Sequence, residues 1–329
     1  MNLPRRAFLH LAAGAAALLA VSRIATAETY PSYPITVIVP VPPGGVADPI
    51  ARILADHLTV TLGQPVVVEN VTGAGGSIGV GRAARAAPDG YTVSIGNWLS
   101  HVGASAVYRV QYDVLKDFEA VSLLTNSPIL ITARKDFPAN DLKELIAWLK
   151  ANPDKATAAT VGAGSAAHVS GVYFQRATGT RFQFVPYRGG GPAVQDEVGG
   201  HVDLMFNEAT GALPYVLSRQ VKTYAVLAKT RWFAAPEIPT SEELGVPGIN
   251  ISFWHGLWVP KGTPKEIVAK LNGAVVAALA DPTVRKRLTD IGQEIFPRDK
   301  QTPEALHAFH KSETEKWWPI IKAAGIKAE

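Results

Sequence analysis

The chain of 329 residues contains no cysteine. It therefore forms no disulfide, offers no thiolate to a metal and has no cysteine nucleophile. Low-complexity tracts and repeats at solenoid periods are missing too, which sets aside repeat architectures. No Lys/Arg run interleaved with aromatics points to nucleic acid. The formal charge of +4 is local in origin. Arg5, Arg6 and Arg23 lie at the N-terminus. Without them 29 of the 32 Lys+Arg remain against 28 Asp+Glu, a net charge of +1. The one long apolar run, 7–21, is shorter than the roughly 20 residues a membrane helix needs. The length itself suits two domains of about 100–200 residues each.

The N-terminus reads as an export signal covering 1–27. Arg5 and Arg6 form a basic start, the Ala-rich apolar run follows, and Ala25-Thr26-Ala27 fits an A-x-A cleavage site, so the mature chain begins at Glu28. Arg5-Arg6-Ala7-Phe8-Leu9 also fits a twin-arginine signal, and both export routes stay open.

The rest is organised around Pro42-Pro43-Gly44-Gly45-Val46-Ala47-Asp48-Pro49. An apolar strand pattern, 35–41, leads in. A helix pattern, 49–62, leads out, with Asp48 expected as N-cap and Pro49 at N1. Strand, Gly loop and helix N-terminus together make an anion site, expected to hold a carboxylate. An ordinary capped βα turn explains the same stretch equally well. Asp48, being anionic, would meet a water or the ligand's other end.

Strands and helices alternate along the whole chain, so a mainly parallel α/β sheet is expected, with ligands at the strands' carboxyl ends. Two apolar runs, 118–124 and 129–133, are separated by Asn126-Ser127-Pro128. A second unit repeats the opening device: strand 157–161, Gly162-Ala163-Gly164, then Ser165 capping a helix. The chain crosses back through 251–259. Residues 28–127 and 252–329 thus form one discontinuous domain and 128–251 an inserted one, with a hinge and a cleft between them.

Several residues suggest chemistry. Gly75-Gly76-Ser77-Ile78-Gly79 matches the G-x-S-x-G nucleophile elbow, with Asp203 and His255 following, so an exported serine esterase is an alternative. The elbow places its Ser directly after a strand, whereas Ser77 lies about seven residues beyond one. Gly162-Ala163-Gly164-Ser165-Ala166-Ala167 resembles a dinucleotide fingerprint without the acidic residue expected about 20 positions on, so no cofactor is expected. His307 and His310 read as solvated surface, and no metal site is expected. His168 falls at N3 of a helix facing the cleft, where the dipole favours a neutral ring. Tyr187 offers a phenol, Gly189–Gly191 offer amides, and Asn207 and Glu208 close a strand at the same edge.

Pro43-Gly44-Gly45-x-x-Asp48, Gly63-Gln64-Pro65 through Asn70, Gly73-Ala74-Gly75-Gly76, Pro88-Asp89-Gly90-Tyr91-Thr92, Gly162-x-Gly164-Ser165-x-x-His168, Val185-Pro186-Tyr187, Trp254-x-Gly256 and Gly262-Thr263-Pro264 occur in order over the mature chain. This pattern resembles the solute-binding proteins of tripartite tricarboxylate transporters, the Bug family. The resemblance implies a periplasmic, non-catalytic binder with the type II periplasmic binding protein fold and Venus-flytrap closure. It implies a small organic mono- or dicarboxylate as ligand, integral membrane subunits as partners and a monomeric chain without nucleic acid; a sensor-kinase co-receptor is a variant of the same reading. Carried over by position, the site comprises Gly44, Gly45, Asp48, Ser165, His168 and Tyr187, with Ser100 and Asn207 as further wall residues. The chain departs from the family at Ala47, where a hydroxyl residue is common, at Arg188, where Lys is common, and at Trp98, a position often small. Trp98 fits either a ligand wall or the core.

Overall fold

The computed structural model describes residues 30–248 and 250–327; the expected export signal and its cleavage site lie outside them. The first strand, β1 (Ile35–Val39), is a β-branched run buried along nearly its whole length. Helix α1 (Ala47–Leu62) follows and buries Ile50, Ile53, Leu54 and Leu58 at helical spacing. It ends where Gly63 turns left-handed and donates its N–H to Thr59 O. Strand β2 (Val66–Asn70), helix α2 (Ser77–Ala84) and strand β3 (Thr92–Asn97) come next. β1 lies between β2 and β3, parallel to both. β3 runs into one π-helical turn, Leu99–Gly103, and a short α3 (Ala104–Val107).

The two apolar runs expected at 118–124 and 129–133 are one strand, β4 (Phe118–Arg134), 17 residues long. Pro128 is accommodated inside it. The pairing with β9 (Ser252–Pro260) shifts register between Leu123 and Asn126 before Pro128 comes opposite Ser252, and such an irregularity is where a strand tolerates a residue without an N–H. β9 is antiparallel to both β3 and β4.

The segment between β4 and β9 holds α4 (Leu142–Ala151), β5 (Thr157–Thr160), α5 (Ala166–Thr178), β6 (Gln183–Pro186), α6 (Gly190–Val198), β7 (Leu204–Glu208), α7 (Ala209–Leu217) and β8 (Val221–Val226). Here β5 is parallel to β6 and β7, while β7 and β8 run antiparallel to the far half of β4. The chain closes with α8 (Lys265–Ala280), α9 (Pro282–Asp290), β10 (Glu294–Ile295) and α10 (Pro303–Ala323). The strand order is β2-β1-β3-β9-β4-β7-β5-β6, with β8 and β10 also on β4. The sheet is therefore more mixed than the alternation of elements suggests, because β4 and β9 carry the chain between two parallel groups as an antiparallel pair.

Asp141, Asp281 and Thr302 cap their helices, each accepting from a first-turn backbone N–H. Thr263 does not cap α8; its hydroxyl donates to Pro260 O instead. The tryptophans settle the C-terminal helix. Trp98 is fully buried and meets Trp317 of α10 edge-on at 5.7 Å, so it belongs to the core. Trp318 Nε1 donates to Val102 O. His310, read from the sequence as solvated, is 2 % exposed, with Nε2 2.8 Å from His101 O. Helical spacing alone did not reveal that this face of α10 covers the π turn.

Candidate functional site

A cavity of about 830 Å³ opens at the carboxyl ends of β1, β3, β5, β6 and β7, with Ile129 of β4 and Phe253 of β9 in its wall. The volume falls in the range of small-molecule clefts, and the position is the one an α/β sheet dictates. Its walls are mostly loops. Pro40–Val46 follow β1, Thr72–Gly76 follow β2, Val161 and Gly162 follow β5, and Tyr187–Pro192 follow β6.

Glycine is required at specific points. Gly44 has φ +77°, a left-handed conformation that disfavours other residues. At Gly76, φ is +92° and a Cβ would stand 3.0 Å from Pro40 O and 3.1 Å from Ser100 Cβ, so the second Gly loop lies directly on the first.

The electrostatics come from the backbone. Five helices begin at the wall: α1 behind Val46, α2 behind Gly76, α5 at Ala166 and Ala167, α6 at Gly190 and Gly191, and α7 behind Glu208. Their free N–H groups and positive dipole ends favour an anion. Among the described residues the charged side chains lining the cavity are Arg188, which is exposed, and Glu208.

Of the residues expected here, Gly44, Gly45, Tyr187 and Asn207 line the cavity. Asn207 is 4 % exposed, and among the described residues its Nδ2 has no partner. Tyr187 directs its hydroxyl to Asp196 Oδ2 at 2.7 Å; burial and this carboxylate push the phenol up to about 12. The other four stand behind the wall. Asp48 is not the N-cap of α1: the helix starts one residue earlier, and Val46 in the cap position makes no side-chain bond. Asp48 Oδ2 instead accepts from Gly44 N (3.0 Å) and Arg52 Nε (3.1 Å), and Oδ1 accepts from Asn70 Nδ2 (3.0 Å). Burial works to raise its pKa, and these bonds outweigh it, holding the carboxyl below its ordinary value. Ser100 exchanges bonds with Asn97. Asn97 N donates to Ser100 Oγ and Ser100 N to Asn97 Oδ1, both at 3.0 Å, which winds the π turn. Ser165 caps α5 as expected, accepting from His168 N at 3.2 Å. The His168 ring lies edge-on to Phe184 at 4.5 Å, and burial lowers its pKa, so it is neutral.

The sequence reading missed Tyr108, Met205 and Phe253 as wall residues. Nothing local marks them; their places follow from the π turn and from the path of β9. The elbow at Ser77 does not assemble a triad. Among the described residues Ser77 bonds to no histidine. Asp203 accepts from Arg134 and Thr157, and His255 Nδ1 faces Thr125 Oγ1 at 3.4 Å.

The model of the tripartite tricarboxylate transporter family receptor matches residues 50–326. The chain belongs to this receptor family. Solved structures agree with the assignment. The periplasmic binding protein BugD superposes with a TM-score of 0.84 at 39 % identity, over 91 % of this chain and all of that one. MatC from Rhodopseudomonas palustris with bound malate gives 0.83 at 38 %, over 89 % of this chain and all of that one. Rpa4515 of R. palustris with adipate gives 0.84 at 31 %, covering 91 % and 99 %. The receptor has the periplasmic binding protein fold, and two of these similar structures carry a carboxylate, malate in MatC and adipate in Rpa4515.

Proposed function

We propose that this receptor captures a small organic mono- or dicarboxylate in the periplasm and delivers it to the integral membrane subunits of a tripartite transporter. The observation that carries the reading is the convergence of five helix N-termini and the unpartnered Asn207 amide on one cavity with little charge of its own. A carboxylate satisfies those donors, whereas a cation or a purely apolar solute leaves them bare. The ligands named for MatC and Rpa4515, malate and adipate, belong to the same class.

The proposed moving parts are two lobes, a division that the crossing of β4 and β9 supports. Residues 28–127 with 252–329 make one lobe and 128–251 the other, joined by β4 and β9. The lobes touch where Gly103 meets Gly164: a Cβ on Gly103 would stand 2.2 Å from Gly164 O. Ligand bridging both walls favours the closed arrangement, because only that arrangement offers both sets of donors. Gly44, Gly45, Tyr187 and Asn207 form the wall, and Asp48, Ser100, Ser165 and His168 hold it from behind. No catalytic step is assigned.

The test is a thermal-shift screen of the exported chain against mono-, di- and tricarboxylates of three to nine carbons. A ligand at about 100 times its dissociation constant adds about 2.7 kcal/mol, which is about 5–10 °C at 2–4 °C per kcal/mol. A shift confined to one carboxylate class supports the proposal. No shift with any acid, or hydrolysis of activated esters that Ser77→Ala abolishes, contradicts it.

A further inference from the structure

Glu208 is an acid in a cavity built for acids. It closes β7, lines the cavity, and precedes the first turn of α7 without bonding to it. The Thr210 N–H there goes to Ser127 Oγ at 3.4 Å. No Lys, Arg or His pairs with Glu208 among the described residues. Its one side-chain contact is Gln293 Nε2, 3.5 Å from Oε1, and that amide makes its short bond, 2.6 Å, to Thr210 Oγ1. Among the described residues the other carboxyl oxygen of Glu208 has no hydrogen-bond partner in the protein. Next to it in the chain stands the buried, unpartnered Nδ2 of Asn207.

We infer that Glu208 acts as a neutral acid whose O–H, beside the Asn207 N–H, donates to a second carboxylate at the far end of the ligand, which makes the receptor selective for dicarboxylates. The inference rests on the carboxylate reading given above. An ionised Glu208 would share the cavity with the ligand's anion, and among the described residues no cation pairs with it; Arg188, the cation in the wall, is exposed and not bonded to it. A protonated one adds a second side-chain donor beside the Asn207 amide. Burial pushes this carboxyl well above its ordinary range, opposed only by Gln293. The titratable groups on neighbouring elements are Tyr215 of α7, Glu197 of α6, His255 of β9 and Glu294 of β10, with the Arg188 guanidinium on the loop after β6; none bonds to Glu208. The proton stays on Glu208 and is shared with the ligand, so dicarboxylate binding favours the protonated receptor.

The experiment is calorimetric titration of the exported chain at several pH values from 6 to 9. The probes are succinate, glutarate and adipate, each beside its monocarboxylate and its ω-amino counterpart of equal length. The expected result is that the best diacid binds at least tenfold tighter than its monoacid at pH 6. Its affinity falls as pH rises, with proton uptake visible in buffers of different ionisation enthalpy. Glu208→Gln, an uncharged donor, should keep diacid affinity within about threefold at pH 6 and remove the pH dependence. Glu208→Ala should lose the preference for the diacid while still binding the monoacid. A Glu208→Ala variant that keeps the wild-type preference for the diacid overturns the inference. So does a Glu208-dependent preference for the ω-amino acid, which would show an ionised carboxylate. Monoacids binding as tightly as diacids overturn it too while leaving the carboxylate proposal standing; no binding of any acid overturns both.

Discussion

Asp48 and Asn70 stand 3.0 Å apart, Oδ1 to Nδ2, and the same Asn70 amide nitrogen reaches Val41 O at 3.0 Å. This single nitrogen thus ties the end of β2 to both flanks of the Pro42–Gly45 loop. With Gly44 N on its other oxygen, Asp48 sets the shape of a wall it does not itself line. Asp48→Asn should therefore lower stability by about 1–3 kcal/mol, the cost of leaving buried donors poorly paired. It should also weaken carboxylate binding about tenfold. The pH dependence has a definite sign. A carboxyl held below its ordinary value of 3.8 stabilises the fold at higher pH and loses that contribution as pH falls through the lowered value. Urea denaturation at pH 7 and pH 3 checks this: the gap between wild type and variant should narrow at the lower pH.

Closure is tested away from the cavity at Gly103. This residue sits in the π turn with φ −67°, so an alanine there costs the backbone nothing, but its Cβ would collide with Gly164 O. Gly103→Ala should hold the lobes apart. Ligand affinity should fall at least tenfold with little change in the melting temperature of the free protein. Solution scattering should then show no ligand-induced compaction, in contrast to wild type.

Glu197 offers a stability prediction of opposite sign. It is fully buried, neither oxygen has a hydrogen bond of sound geometry, and burial, opposed by the nearby Thr132 hydroxyl, pushes it up to about 8. A carboxyl raised in the folded state binds its proton more tightly there than in the unfolded chain. Stability is therefore full below about pH 4.5 as far as this group is concerned, and declines between there and about pH 8. The decline is on the order of 4 kcal/mol, at about 1.4 kcal/mol per pH unit. Glu197→Gln should flatten this slope and raise the melting temperature at pH 8.

Trp317→Ala should cost about 3–5 kcal/mol, since it empties a large site against Trp98 in the core. It also removes one of two indole N–H groups from Glu313, the other being Trp254 Nε1 at 3.3 Å. Chemical denaturation measures the loss. Carboxylate affinity at a temperature where the variant remains folded should be little changed, because none of these residues lines the cavity.

Local chemistry wrote much of this fold. The apolar periodicity of α1, the αL glycine that ends it, and the caps Asp141, Ser165, Asp281 and Thr302 are all visible in single windows of sequence. The Gly loops after β1, β2 and β6 gave the position of the cavity for the same reason. Asp48 was misread as a cap because Asp-Pro is a local signal, while its carboxylate is taken by Gly44 N, Arg52 and, 22 residues away, Asn70. The unity of β4 was hidden by Pro128, which a register shift against β9 absorbs. His310 looked like surface because nothing in its own helix says that the π turn lies over it. In each case a tertiary partner overrode a sound local reading.

The central claim is that a carboxylate sits among the helix N-termini beside Asn207. The most direct test is calorimetric titration of the best carboxylate from the thermal screen into wild type and Asn207→Ala. The account predicts one site per chain in wild type and an affinity at least tenfold weaker in the variant, whose melting temperature without ligand is nearly unchanged. Equal affinity in the two proteins would place the ligand elsewhere and contradict the account.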